Sequence, residues 1–149
     1  MVGGWTWEHE EMVSDSVPDP ELLAAATLAH LEAHCPYSHY RVGAAIRTGS
    51  GAVVVGCNVE NAAYPLGSCA EAGAIAAMVV AGERSIVEIV VVTDGDTPGT
   101  PCGGCRQRLR EFAGPDVLVH SVAASGGAIT MTMAELLPHS FGPEYLHRE

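Results

Sequence analysis

Apolar residues recur along the first third of the chain at intervals typical of a helix. After Asp19-Pro20-Glu21, four of them fall on one helical face at spacings of three and four: Leu22, Ala26, Ala29 and Ala33. Asp19 has the side chain of an N-cap, and Pro20 suits the first helical position. The pattern predicts a helix that begins at Pro20 and is closed by Pro36.

Short apolar runs predict five strands. Arg41–Arg47 and Ala52–Asn58 lie on either side of a Thr-Gly-Ser-Gly turn and predict a β-hairpin. The β-branched run Ile86–Val92 is almost continuous, which predicts a strand covered on both faces. Two further strands are predicted around a Ser-Gly-Gly turn, at Val117–Val122 and Ala128–Thr132.

Three further helices are predicted between and after these strands. Ser68 opens a helix that ends near Ala81, and small or apolar residues on nearly all its sides indicate burial. Another helix is predicted from Cys102 to Phe112, and a capping box at Thr132–Glu135 opens a short final one. The order of elements predicts the α/β class, as a three-layer α/β/α sandwich around a five-stranded mixed β-sheet.

The length of the chain limits the number of domains, and its charge limits the kinds of partner that it can bind. The 149 residues suit one domain, residues 18–149, after a loosely ordered lead-in at 1–17. Seven arginines, no lysine and 18 acidic residues give a net charge of -11. Nucleic-acid binders usually present a basic face, and only Arg106, Arg108 and Arg110 cluster. We therefore expect no nucleic acid and no membrane as partners, whereas a small uncharged substrate is compatible with this charge.

The five cysteines are the main candidates for chemistry. Their odd number, without a secretory apolar segment, argues against a disulfide framework and for a reducing, cytoplasmic location. Cys69 lies at one predicted helix start, and Cys102 and Cys105 form a Cys-x-x-Cys turn at another. Such a turn directs two sulfurs at one centre. A third cysteine would complete a zinc site whose fourth tetrahedral position stays open for water.

Glu71 follows Cys69 by two residues, where a carboxylate can reach a metal-bound water without binding the metal. Cys-x-Glu followed by Pro-Cys-x-x-Cys is the three-cysteine form of the zinc nucleobase deaminase signature. Two other interpretations stay open. Ser68 and Glu71 have the spacing of a capping box, and Cys102 with Cys105 could be a redox pair.

Several motifs together resemble the small homotetrameric cytidine deaminases that act on free nucleosides. The resemblance runs from about residue 35 to 146 and rests on Cys35–Tyr40, Gly56–Tyr64, Pro101–Gln107, Glu135–Pro138 and Ser140–Pro143. It implies the cytidine deaminase fold and one Zn²⁺ per subunit. It also implies conversion of cytidine and deoxycytidine to uridine and deoxyuridine with release of ammonia, a reaction of pyrimidine salvage.

The resemblance also implies residue roles. Cys69, Cys102 and Cys105 would bind zinc, and Glu71 would carry protons between an activated water, the cytosine ring and the departing amine. The substrate-binding residues would be Tyr40, Asn58, Glu60, Tyr64, Ala70 and Phe141.

Within that substrate-binding set, Asn58 and Glu60 would bind the ribose hydroxyls, and Tyr40 would pack on the pyrimidine. Tyr64 and Phe141 would complete sites across subunit contacts of the homotetramer. The alternative for all three aromatic residues is a purely structural place in an interface or the core.

One position departs from the family pattern, because Ala72 stands where many tetrameric members have arginine. Three thiolates outweigh Zn²⁺ by one negative charge, and we hypothesise that the helix N-termini, with Arg106, offset it. Ala72 also leaves room for an alternative substrate, a modified or antibiotic cytosine nucleoside of the blasticidin type. Outside the enzymes, the alternative is a non-catalytic zinc-binding module, which would have no use for Glu71.

Overall fold

Five strands form one mixed sheet in the computed structural model, which describes residues 16–146. The strands are β1 Val42–Thr48, β2 Val53–Cys57, β3 Ile86–Thr93, β4 Ala113–Ala123 and β5 Ala128–Thr132. Their order is β2-β1-β3-β4-β5; β3 and β4 run parallel and the other neighbours antiparallel. The predicted five-stranded mixed sheet is confirmed. Residues 1–15, most of the predicted lead-in, lie outside the described residues.

Helices cover both faces of the sheet. They are α1 Pro20–Leu31, α2 Ala70–Val80, α3 Gly103–Arg110 and α4 Met133–Leu136, with single 3₁₀ turns at Tyr64–Leu66 and Pro143–Tyr145. The α1 side chains Leu22 and Ala26 pack on one face, in a cluster with Val90. Residues of α2, α3 and α4 share the larger cluster on the other face, which confirms the three-layer sandwich. Within residues 16–146, no helix is both long and apolar enough to cross a membrane.

The start of α1 is confirmed, whereas its predicted end is wrong. Asp19 Oδ1 accepts hydrogen bonds from the N–H groups of Glu21 and Leu22, at 2.9 and 3.1 Å. The helix ends at Leu31, before Ala33 and Pro36. The next backbone groups pair with the segment after β2: His34 N–H donates to the carbonyl of residue 58, and Glu60 N–H donates to that of residue 34. This tertiary pairing ends the helix early.

The start of α2 also differs from the prediction. Cys69, not Ser68, is the N-cap residue, and its side chain makes no capping hydrogen bond. The Ser68 backbone instead pairs in both directions with Val59, at 2.9 and 3.0 Å. The capping-box interpretation of Ser68 and Glu71 is therefore wrong, whereas the box between Thr132 and Glu135 at α4 forms as predicted.

The third helix and the fourth strand also differ at their ends. Cys102 is the N-cap of α3, which ends at Arg110 instead of Phe112. The fourth strand begins at Ala113 instead of Val117. A break in the pairing register with β3, between Ile86 and Glu88, lets the early part of β4 join the sheet.

Close backbone packing seats α2 on the sheet. A Cβ atom added to Gly56 of β2 would lie 2.8 Å from the carbonyl carbon of Gly73 and would overlap the backbone of Ala70 and Ala74. Only glycine allows β2 and α2 to approach this closely. Gly43 of β1 likewise allows the close approach of α1 on the opposite face, because an added Cβ would overlap the α1 backbone.

Candidate active site

The three predicted zinc ligands come together where α2 and α3 begin. Cys69 and Cys102 are the N-cap residues of the two helices, and Cys105 lies buried in the first turn of α3. Their three sulfurs lie within 4.8 Å of one another, with Cys69 and Cys102 Sγ 3.9 Å apart. Zinc–sulfur bonds of 2.3 Å in a tetrahedron would place sulfurs about 3.8 Å apart. The donor set and its spacing therefore fit zinc.

The surroundings act differently on the three thiols. The backbone N–H of Cys105 donates to the Cys102 sulfur, which lowers the pKa of Cys102. Burial raises the pKa of Cys69. Burial also raises the pKa of Cys105, and the negative charges of Glu71 and of the Cys69 sulfur raise it further. Three thiolates are thus unfavourable without a nearby cation, and a divalent metal would supply one.

Glu71 is the acidic group closest to this cluster. It is the second residue of α2, it is only 3% exposed, and it is close enough to the Cys105 thiol for its negative charge to raise the pKa of that thiol. A buried carboxylate without a salt-bridge partner among the described residues is unusual for a structural acid. Its position suits proton transfer beside the metal ligands.

A cavity of ≈ 400 Å³ opens beside these residues. Its volume is in the range of small-molecule sites. The predicted residues that line it are Tyr40, Asn58, Glu60, Tyr64, Cys69, Ala70, Glu71 and Cys102. Cys105 lies behind this wall, buried in α3.

The side chains of Asn58 and Glu60 are held in place by backbone groups. Asn58 Oδ1 accepts from Val42 N–H at 2.8 Å, and its Nδ2 donates to the Tyr40 carbonyl at 2.9 Å. Glu60 Oε2 accepts from the N–H groups of Tyr37 and residue 38, at 2.9 and 3.2 Å. The Ser38 hydroxyl first, and these N–H groups after it, lower the pKa of Glu60. These bonds leave one Asn58 Nδ2 hydrogen and Glu60 Oε1 for a ligand.

Phe141 is not brought into the cavity of its own chain. Its backbone carbonyl accepts from Gln107 Nε2 at 2.9 Å, and its ring stacks on Tyr145 with centroids 5.2 Å apart. The ring is 57% exposed. Tyr64 does line the cavity, and it is 76% exposed.

Part of the cavity wall was not predicted. Val42, Val91, Thr93, Gly99 and Thr100 line it as well. Thr93 Oγ1 accepts from the N–H of Gly99 at 3.0 Å, which folds the loop after β3 against the site. The sequence signal that could have located these residues is the turn-rich loop that leads into the Cys-x-x-Cys turn.

The hydrogen-bond partners of Arg106 are neutral oxygens, so its charge is not cancelled and its hypothesised contribution to the charge of the site stays a prediction. Its guanidinium donates to the carbonyls of Pro101 and Leu136, at 2.7 and 2.9 Å, and to Thr100 Oγ1 at 3.0 Å. Arg106 therefore ties the loop before Cys102 to α4. The hydrogen bond from Cys105 N–H to Cys102 is the contribution of a helix N-terminus that the hypothesis included.

The chain is similar in sequence and in structure to proteins named cytidine deaminase. Over 126 residues the chain is 39% identical to a cytidine deaminase of Sporosarcina psychrophila, covering 85% of this chain and 93% of the relative. A cytidine deaminase of Halalkalibacterium halodurans is 40% identical over 123 residues, or 83% of this chain and 93% of the relative. The solved structure of cytidine deaminase from Burkholderia pseudomallei superposes with a TM-score of 0.79 at 38% identity, covering 84% of this chain and 100% of that one.

A match to a protein-family model assigns the chain to a family. The model described as the cytidine and deoxycytidylate deaminase zinc-binding region matches residues 17–121, well over half of the chain. With the converging cysteines and the buried Glu71, this match establishes that the chain belongs to the cytidine and deoxycytidylate deaminase family.

Proposed function

We propose that this protein is a zinc-dependent cytidine deaminase. It hydrolyses cytidine and deoxycytidine to uridine and deoxyuridine, releases ammonia and serves pyrimidine salvage. The observation that carries the proposal is the buried Glu71 beside three converging sulfurs, at the wall of a cavity of ≈ 400 Å³. A purely structural zinc site would have no use for this carboxylate. The relatives named cytidine deaminase support the substrate class.

The proposed catalytic residue is Glu71, and the three cysteines are the proposed metal ligands. Cys69, Cys102 and Cys105 would hold zinc, which would supply a Lewis acid that makes water nucleophilic at neutral pH. Glu71 takes a proton from that water and delivers it to N3 of the cytosine ring, so that C4 becomes electrophilic. The C4–O bond forms, and Glu71 then transfers the remaining hydroxyl proton to the amino group. The C4–N bond breaks, and ammonia leaves.

The nucleoside is held by groups whose positions the backbone already sets. Glu60 Oε1 accepts from a ribose hydroxyl, and the remaining Asn58 Nδ2 hydrogen donates to a ribose oxygen. Tyr40 packs on the pyrimidine face. Because backbone N–H groups and carbonyls hold both polar side chains before the ligand arrives, little side-chain entropy is lost on binding.

We further propose that the active protein is a homotetramer in which Tyr64 and Phe141 complete neighbouring sites. Their exposures of 76% and 57% are large for aromatic rings and support burial in an assembly. The test mixes two inactive variants, Glu71→Gln and Phe141→Ala. Activity that returns on mixing means that Phe141 serves a site on another subunit, whereas a mixture that stays inactive contradicts that arrangement.

A cytoplasmic location is proposed as well. Cys35, Cys57, Cys69, Cys102 and Cys105 are all unpaired in the structure. A site of free thiols needs a reducing compartment to persist.

The direct test follows the loss of cytidine absorbance and the release of ammonia by zinc-loaded protein. A panel of cytidine, deoxycytidine and a blasticidin-type nucleoside compares the proposed substrates with the alternative. Glu71→Gln keeps the shape and loses the proton carrier, so we expect unchanged zinc content and a kcat lower by about 10²–10⁴-fold.

Two outcomes would contradict the proposal. Turnover retained by Glu71→Gln would remove Glu71 from its role. Zinc-loaded wild type that leaves every nucleoside of the panel unchanged would favour a non-catalytic zinc module.

A further inference from the structure

The proposed zinc site carries an excess of negative charge. Three thiolates outweigh Zn²⁺ by one unit, and the buried Glu71 adds a second unit close by. Ala72, which follows Glu71 in α2, brings no charge. Any compensating cation must therefore come from another element of the fold.

Five of the six arginines in residues 16–146 have hydrogen-bond or ion-pair partners, although Arg106 bonds only neutral oxygens and keeps its charge uncancelled. In residues 16–146, Arg41, Arg47 and Arg110 pair with carboxylates, and Arg84 and Arg106 donate to backbone carbonyls. The part of the chain that the structure describes contains one more arginine, Arg108, which is exposed and has no hydrogen bond or ion pair there.

The Arg108 side chain extends towards the N-terminus of α3. It lies four residues after Gly104, on the same helical face, and helical side chains lean towards the preceding turn. A Cβ atom added to Gly104 would lie 3.1 Å from Arg108 Nη1 and 4.0 Å from Cys102 Sγ. Nitrogen and sulfur are separated by no more than the sum of these distances, about 7 Å, and a unit charge still acts over that range.

The dipole of α3 affects how favourable it is for the Arg108 guanidinium to lie near the N-terminus of the helix. The N-terminus of a helix carries a partial positive charge, so a guanidinium directed there is normally unfavourable. A negative group at the same end makes the position of the guanidinium favourable instead. Cys102 caps α3 and its sulfur is the atom that Arg108 approaches, so as a zinc ligand it would be the negative group at this end of the helix.

We propose that Arg108 is a positioning residue of the zinc site, which offsets its negative charge across the gap left by Gly104. The proposal rests on the proposed function, since it assumes zinc at the three cysteines. Zinc binding exchanges three thiol protons for one divalent cation, so the site becomes more negative by one unit. A cation within about 7 Å therefore favours the loaded state near neutral pH.

The test measures zinc affinity by competition between zinc-loaded protein and a chelator of known affinity, at pH 7 and low salt. We expect Arg108→Gln to bind zinc more weakly, by about threefold for a water-like dielectric constant and up to about fiftyfold for the effective value near a protein surface. Arg108→Lys keeps the charge and should retain most of the affinity. Arg84→Gln is the matched control, because it removes the same charge away from the site.

Salt provides a second readout. The difference between wild type and Arg108→Gln should shrink from 0.01 to 1 M salt, because the screening length falls from about 30 to 3 Å. Equal affinities of wild type and Arg108→Gln, or an equal loss in Arg84→Gln, would overturn the proposal. These outcomes are independent of turnover, so protein that binds zinc but deaminates no nucleoside would contradict the proposed function alone.

Discussion

Gly56→Ala should separate the catalytic groups without changing any of them. Gly56 lies in β2 directly under α2, and α2 carries Cys69 and Glu71 at its N-terminal end. The added methyl group would lie 2.8 Å from the carbonyl carbon of Gly73, whereas ordinary contacts begin at 3.4 Å. The helix must therefore move away from the sheet by at least about 0.6 Å, and by more where Ala70 and Ala74 overlap the methyl group.

The size of the effect follows from that displacement. Overpacking a tight contact costs about 1–3 kcal/mol of unfolding free energy. For a chain of this length, each kcal/mol lowers Tm by about 2–4 °C. Misplacing reacting groups by about 1 Å can lower the rate by about 10²-fold. We expect Gly56→Ala to lose about 10- to 100-fold in kcat/KM and to bind zinc more weakly, since Cys69 moves and the two α3 cysteines do not.

Gly43→Ala is the matched control. It places the same methyl group in a similarly tight contact, against α1 on the opposite face of the sheet. Both variants should unfold at lower temperature, but only Gly56→Ala should lose activity per zinc-loaded molecule. Thermal unfolding, zinc content and kcat/KM are measured on both proteins at a temperature where both are folded. Equal loss of activity in the two variants, or full activity in Gly56→Ala, would refute the reasoning.

Three other predictions concern pH, the substrate pocket and the metal. Burial lowers the pKa of His120 against the opposing effect of Glu88, so the unfolded chain binds this proton more readily. Stability in urea should be full above about pH 6.5 and fall below it, with a smaller slope in His120→Gln; equal slopes would contradict this. Asn58→Asp loses the donor to the Tyr40 carbonyl, so KM for cytidine should rise about tenfold or more, and an unchanged KM would speak against the ribose contact. Removing zinc with a chelator should lower Tm and restoring it should reverse the change, whereas an unaffected Tm would mean that zinc does not bind the folded chain preferentially.

Much of the fold follows from local sequence patterns. The N-cap Asp19, the capping box at Thr132 and the β-branched run of β3 act through neighbouring residues, and all three form as predicted. The predictions failed where distant backbone segments compete for the same groups. Helix α1 ends early, at Leu31, because the residues after it pair with the segment that follows β2. Ser68 does not cap α2 because its backbone pairs with Val59.

The candidate site divides in the same way. The Cys-x-x-Cys turn and the Cys-x-Glu pair are short-range patterns, so the sequence by itself determined the donor types and their helix starts. Their convergence, the cavity wall from the loop after β3 and the burial of Glu71 depend on how α2 and α3 pack. Tertiary structure alone joined Arg106 to the Leu136 carbonyl, whereas the direction of Arg108 towards Cys102 follows from the helical geometry of α3. Charge acts through space, and distances between residues far apart in sequence are set only when the helices pack on the sheet.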